Sequence, residues 1–141
     1  MKIAIINGPN LNLLGKREPD TYGDVAFTDY FKGLEEKFSL EELIYVQSNI
    51  EGKIVDFLQE FGEQSDGIIL NAGAYTHTSL AIADVIRAIK APVIEVHVSN
   101  VYAREKFRQY STIAPYCMGS IAGFGLLSYD LAIEAFLLKG K

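Results

Sequence analysis

IAIINGPNLNLLGKREPDTYG occupies residues 3–23. Its first four residues are apolar without interruption. A strand with one face in water alternates apolar and polar side chains, so an unbroken run reads as a strand covered on both faces. Asn7, Gly8, Pro9 and Asn10 then end the strand with turn chemistry. The polar segment continues through two adjacent cations, Lys16 and Arg17, to a lone tyrosine, Tyr22. Loops this long without secondary structure tend to be lids or binding loops.

The same switch recurs along the chain. Further β-rich runs cover residues 43–46, 67–70, 93–96 and 120–122, with Pro92 just before the fourth, where a missing N–H does least harm. Helix-period segments lie between them. Thr28 or Asp29 can cap a helix whose stripe is Tyr30, Phe31, Leu34 and Phe38. Residues 51–61 carry Ile54, Phe57, Leu58 and Phe61 at i, i+3, i+4 and i+7. Residues 78–90 carry Leu80, Val85, Ile86 and Ile89, and residues 129–138 are apolar on much of their circumference. Strict strand–helix alternation predicts an α/β fold with a parallel sheet, right-handed crossovers and three αβα layers. Five strands favour the doubly wound flavodoxin-like order 2-1-3-4-5. No repeat or linker interrupts residues 1–141, which read as a single domain.

Composition bounds the function. The chain has 141 residues, 49% hydrophobic and 22% charged, and a formal net charge of −5, which disfavours a general nucleic-acid binder. Cys117 is the one cysteine, so no internal disulfide forms. It has no neighbouring base and reads as a packing residue. No segment reaches membrane-spanning length, and a cytoplasmic location is expected.

In open α/β sheets ligands bind outside the carboxyl ends of the strands. That rim collects the chemistry: Asn71 and His77 after the third strand; His97, Ser99, Arg104 and Arg108 after the fourth; Gly123-Phe-Gly125 after the fifth. A phosphate loop does not fit, because six residues separate Gly8 from Gly15 where four are required, and Arg17 stands at the hydroxyl position. The Arg17–Tyr22 pair is more suggestive. A free phenol has a pKa of about 10 and is a poor base at neutral pH. A neighbouring guanidinium favours the phenolate. Both histidines, His77 and His97, fall just past strands. Glu95 lies two residues before His97, on the same strand face, where it can orient the imidazole. Asp84 and Glu95 give no recognisable metal-ligand spacing, so metal-free acid–base chemistry is the expectation. Gly123 and Gly125 are expected to allow a tight strand-to-helix turn.

Four blocks, NGPNLNLLGKREPDTYG, LNAGAYTHTSLAIADVI, EVHVSNVYAREKFRQYS and GSIAGFGLLSY, together resemble type II 3-dehydroquinate dehydratase over essentially the whole chain. The resemblance implies a flavodoxin-like lyase that dehydrates 3-dehydroquinate to 3-dehydroshikimate in the shikimate route to aromatic amino acids, with neither metal nor cofactor. The reaction is an anti elimination of water through an enolate. By motif position Tyr22 is the base, His97 the general acid, Arg17 the transition-state stabiliser and Asn10 the residue that positions a water. Asn71, His77, Val98, Ser99 and Arg108 bind substrate, and Arg104 supports the lid, residues 15–23. The resemblance further implies a homo-dodecamer built from trimers, in which Asp84 reaches a neighbouring subunit's site. The chain departs from the family pattern at Ile50 and Lys53 of SNIEGKIVD and at Val98, where Leu or Ile is commoner.

Two other readings use the same residues. A non-catalytic flavodoxin-like module would bind a small anion on this rim. A lysine Schiff base would need an amine in a motif loop, and Lys16 is the one lysine so placed.

Overall fold

The computed structural model describes residues 1–16, 20 and 25–140; Arg17 and Tyr22, and with them most of the expected lid, lie outside the described residues. The five strands are β1 (Lys2–Asn7), β2 (Glu42–Gln47), β3 (Gly67–Asn71), β4 (Val93–His97) and β5 (Gly119–Ala122). They form one parallel sheet in the order β2-β1-β3-β4-β5, with Asn7 in register with Asn71. Helices α1 (Phe27–Lys37), α2 (Glu51–Gln64), α3 (Leu80–Ala88) and α4 (Leu127–Lys139) cover it. This is the three-layer architecture expected from the sequence.

The pleat sorts the strand residues into two cores. Ile3, Ile5, Ile69 and Ile94 face α1 and α4, packing on Phe27, Leu34, Phe38, Tyr129, Ile133 and Phe136. Ala4, Ile6, Ile68 and Leu70 face α2 and α3, packing on Ile54, Leu58, Ile82 and Ile86. Coverage on both faces holds for β1, β3 and β4. The edge strand β2 is only half-buried, and Gly119 and Ser120 of β5 are exposed, so the expectation of full burial fails at both edges.

Helix boundaries differ from the sequence expectation in instructive ways. Neither Thr28 nor Asp29 caps α1: Ala26 is its N-cap and offers no side-chain acceptor. Burial sets the start instead, because Phe27 packs its ring 4.6 Å from Tyr45 and 4.7 Å from Tyr129. α2 runs on to Gln64. α3 begins at Leu80, where Ser79 Oγ accepts from the Ile82 N–H at 3.0 Å. It ends before Ile89, whose side chain fills the space where a Cβ on Gly62 would lie only 2.6 Å away.

Gly123 (φ +95) and Gly125 (φ +61) make the tight turn expected after β5. The Gly125 N–H donates to the Val98 carbonyl, tying that turn to the end of β4. Cys117 packs against the α2–α3 core, and its burial, with the nearby Glu95 charge, pushes the thiol up to about 12. It is a packing residue, as expected. No helix among the described residues is long and apolar enough to cross a membrane.

Candidate active site

The carboxyl ends of β1, β3 and β4 open onto a pocket lined by Asn10, Leu11, Leu14, Asn71, His77, His97, Val98, Ser99, Arg104 and Arg108, among others. Eight residues singled out in the sequence are therefore together. Asp84 is not among them. It lies on α3, in a groove shared with Val55, Gln59 and Glu63 of α2.

Asn10 owes its position to an unusual backbone. Its φ of 68 is left-handed, which asparagine tolerates better than most residues. Its N–H donates to Asn49 Oδ1 at 3.0 Å, and Gln47 Nε2 donates to the Gly8 carbonyl at 3.1 Å and to Asn49 Oδ1. The end of β2 thus pins the loop after β1. The β3 side holds it as tightly, for the Gly8 N–H donates to the Asn71 carbonyl at 2.7 Å. A Cβ on Gly8 would lie 2.6 Å from the Ala72 carbonyl oxygen, so only glycine allows this approach.

Asn71 is almost fully buried, and its amide is held at both ends. Nδ2 donates to the Tyr129 hydroxyl at 3.0 Å, while Oδ1 accepts from the Gly73 N–H at 3.2 Å. Tyr129 in turn donates to Asn7 Oδ1 at 2.8 Å. That buried chain, reaching the site from α4, was not read from the sequence.

His77 Nδ1 lies 2.7 Å from the Tyr110 carbonyl. A carbonyl only accepts, so Nδ1 carries the proton and Nε2 is left to accept. The His77 and His97 rings stack at 6.3 Å with 19° between planes. His97 Nε2 lies 2.8 Å from Glu95 Oε1, the same-face pairing expected from their spacing on β4. Glu95 is 1% exposed. Burial alone would raise its pKa, but hydrogen bonds from His97, Ser111 and Ser120, with the His97 charge, hold the carboxyl below its ordinary range. A carboxylate at Oε1 fixes the imidazole proton on Nε2, which leaves Nδ1 as the nitrogen available to the pocket.

The cations are braced as well. Arg108 Nε donates to Glu105 Oε2 at 2.8 Å, and Arg104 reaches Ser99 Oγ at 3.5 Å. Acceptors, imidazoles and guanidiniums on one wall suit a small ligand bearing hydroxyls and a carboxylate. No cluster of three or more metal-ligating side chains occurs among the described residues.

The model of the family described as Dehydroquinase class II matches residues 1–137. The chain belongs to that family. Among class II dehydroquinase relatives, a protein named 3-dehydroquinate dehydratase from an Exiguobacterium species is 55% identical, over 97% of this chain and 94% of its own. The crystal structure of a type II dehydroquinase from Butyrivibrio crossotus superposes with a TM-score of 0.93 at 45% identity, covering 97% of each chain. That from Propionibacterium acnes gives the same TM-score at 34% identity, covering 97% of this chain and 96% of its own. The dehydroquinase fold and its strand order are therefore shared with solved members.

Proposed function

We propose that this chain is a 3-dehydroquinate dehydratase of the shikimate pathway, acting by anti elimination through an enolate. The observation that carries the proposal is the family match across residues 1–137, made on a chain whose rim brings Asn71, His77, His97, Ser99 and Arg108 around one pocket. The binding-module reading is not favoured, since the relatives named above are dehydratases and dehydroquinases.

In the mechanism we assign, Tyr22 as phenolate removes the proton α to the ketone, and Arg17 lowers the cost of that phenolate and of the transition-state charge. The electron pair becomes an enolate, beside which Asn10 holds a water. The enolate then expels the β-hydroxyl, to which His97 gives a proton so that it leaves as water. Glu95, on the Nε2 side of the ring, balances the imidazolium. Asn71, His77, the Val98–Ser99 segment and Arg108 hold the hydroxyls and carboxylate, with Arg104 supporting a lid over residues 15–23 that excludes water from the enolate.

We assign a homo-dodecamer built from trimers and a cytoplasmic location. Asp84 would serve a neighbouring subunit's site, which agrees with its place outside its own chain's pocket. Exposed apolar side chains support assembly: Tyr102, Phe124 and Leu131 line one groove beside β5. Light scattering on the purified protein tests the oligomer.

Activity is tested by mixing the protein with 3-dehydroquinate and following the ultraviolet absorbance of the conjugated enone product. Wild type turns over, while folded Tyr22→Phe and Arg17→Ala lose activity by orders of magnitude. Turnover that survives Tyr22→Phe removes the assigned base, and a folded, assembled wild type without turnover refutes the function.

A further inference from the structure

Glu95 is buried, ionised and held by more than its histidine. Oε1 accepts from Ser111 Oγ at 2.7 Å as well as facing His97, and Oε2 accepts from Ser120 Oγ at 2.7 Å. A carboxylate can only accept, so both serine hydroxyls must point their protons at it. Ser111 has no alternative, because its oxygen already accepts from the Ala114 N–H at 3.0 Å. Ser120 is brought there by sheet register: it is the direct partner of Glu95 in the β4–β5 pairing and shares its face. The four-residue edge strand, half of it exposed, contributes this contact to the site.

We propose that Ser111 and Ser120 are positioning residues for the dehydration, clamping the Glu95 carboxylate so that its charge and its Oε1 lone pair stay aimed at His97 Nε2. This rests on the assignment of His97 as the general acid. Without the clamp, the bond to His97 is the one described hydrogen bond left on the carboxylate, which can turn from the ring or take up a proton. The imidazolium then loses the counter-charge that holds its Nε2–H, and with it the Nδ1–H that it presents to the leaving hydroxyl; the ring left after that transfer loses its Nε2–H preference as well. Neither serine lines the substrate pocket. Their effect is thus on kcat, not on substrate binding.

The groups that face Glu95 are His97 on its own strand, Ser111 from the loop after the 3-10 turn Lys106–Arg108, Ser120 on β5, and the Cys117 thiol. His77 and Arg108 complete the groove it borders. Cys117 stays protonated at working pH because burial raises its thiol. The serines are therefore the neutral donors that keep the carboxylate ionised.

The test uses Ser120→Ala, Ser111→Ala, the double variant and Ser120→Thr, all in the full chain. A hydrogen bond to a charged group, lost at the transition state, lowers kcat roughly tenfold or more. Each alanine is expected to do so with KM held within about twofold, and the acid limb of the kcat profile is expected to move to higher pH. Ser120→Thr keeps the hydroxyl and retains wild-type kcat. Independently of turnover, nitrogen-15 NMR reads the tautomers of the chain's two histidines. His97 carries its proton on Nε2 in wild type and loses that preference in the double variant, while His77 keeps Nδ1–H. Wild-type kcat and an unchanged His97 signal in the double variant overturn the proposal. So does a Ser120→Thr variant as impaired as Ser120→Ala. A wild type without turnover refutes the enzymatic reading instead, and the NMR arm then decides the clamp alone.

Discussion

Tyr129→Phe is the sharpest probe of how the scaffold holds the site. The ring is fully buried and packs edge-on against Phe27 with 61° between planes, contacts that phenylalanine retains. The substitution therefore isolates the hydroxyl, which links Asn71 Nδ2 at 3.0 Å to Asn7 Oδ1 at 2.8 Å. Two neutral hydrogen bonds contribute about 1 kcal/mol each, and a desolvated acceptor left bare at Asn7 costs a further 1–3 kcal/mol or so. The total is roughly 3–5 kcal/mol, or about 10–17 °C in Tm for a chain of this length. Calorimetry at neutral pH measures it. Asn71 keeps its anchor to Gly73 but loses the other, so its amide swings and the KM for 3-dehydroquinate rises several-fold. The alkaline limb adds a second readout. Burial raises the Tyr129 phenol above its ordinary pKa, so the folded state holds that proton more tightly than the unfolded chain. Its contribution is complete below a pH of about 10 and fades as pH climbs through the raised value. Tyr129→Phe removes that share of the alkaline loss, while Tyr30, raised by burial and its bond to Asp130, and Tyr45 and Cys117, raised by burial, still contribute to it. A variant within about 2 °C of wild type, with an unchanged KM, refutes the account of the buried chain.

Gly8→Ala forces a Cβ against the Ala72 carbonyl, and overpacking against backbone costs about 1–3 kcal/mol. Urea unfolding and turnover fall together, because the loops after β1 and β3 are pushed apart. Ser79→Ala removes the α3 cap for about 1 kcal/mol and leaves kcat unchanged, since Ser79 is buried beneath the helix start and does not line the pocket. Glu95→Gln is tested by unfolding across acidic pH. The wild-type carboxyl is depressed, so its contribution is present above the ordinary carboxyl pKa and is lost as pH falls through the lower folded value. The glutamine variant lacks that slope and has a lower kcat.

The apolar run at 3–6, and that at 93–96 broken only by Glu95, identify central strands because coverage on both faces requires them, and alternation with helices then favours the order. Glu95 and His97 are readable as a pair because strand period places both on one face. Tyr129 is not readable. It sits in a helix apolar all round, where its ring looks like core, and the partners that define its hydroxyl are 58 and 122 positions away. Ser111 and Ser120 fail for the same reason: no periodicity connects a loop and an edge strand to β4. The start of α1 departs from the sequence expectation because Thr28 and Asp29 offer capping chemistry while the packing of Phe27 decides the boundary.

The two cores have different histories during synthesis. On one face of the sheet α2 and α3 are near neighbours along the chain, so their core with β1 and β3 can close once β3 and α3 have left the ribosome. On the other face α1 must wait for α4, about ninety residues later, and Phe27, Leu34 and Phe38 are covered only in part, by β1 and β2, until Tyr129, Ile133 and Phe136 arrive. Tyr129 belongs to that last helix. The same event that covers the nascent chain's exposed aromatic side chains also locks Asn71, so in this fold the site is finished only when the protein stops being sticky.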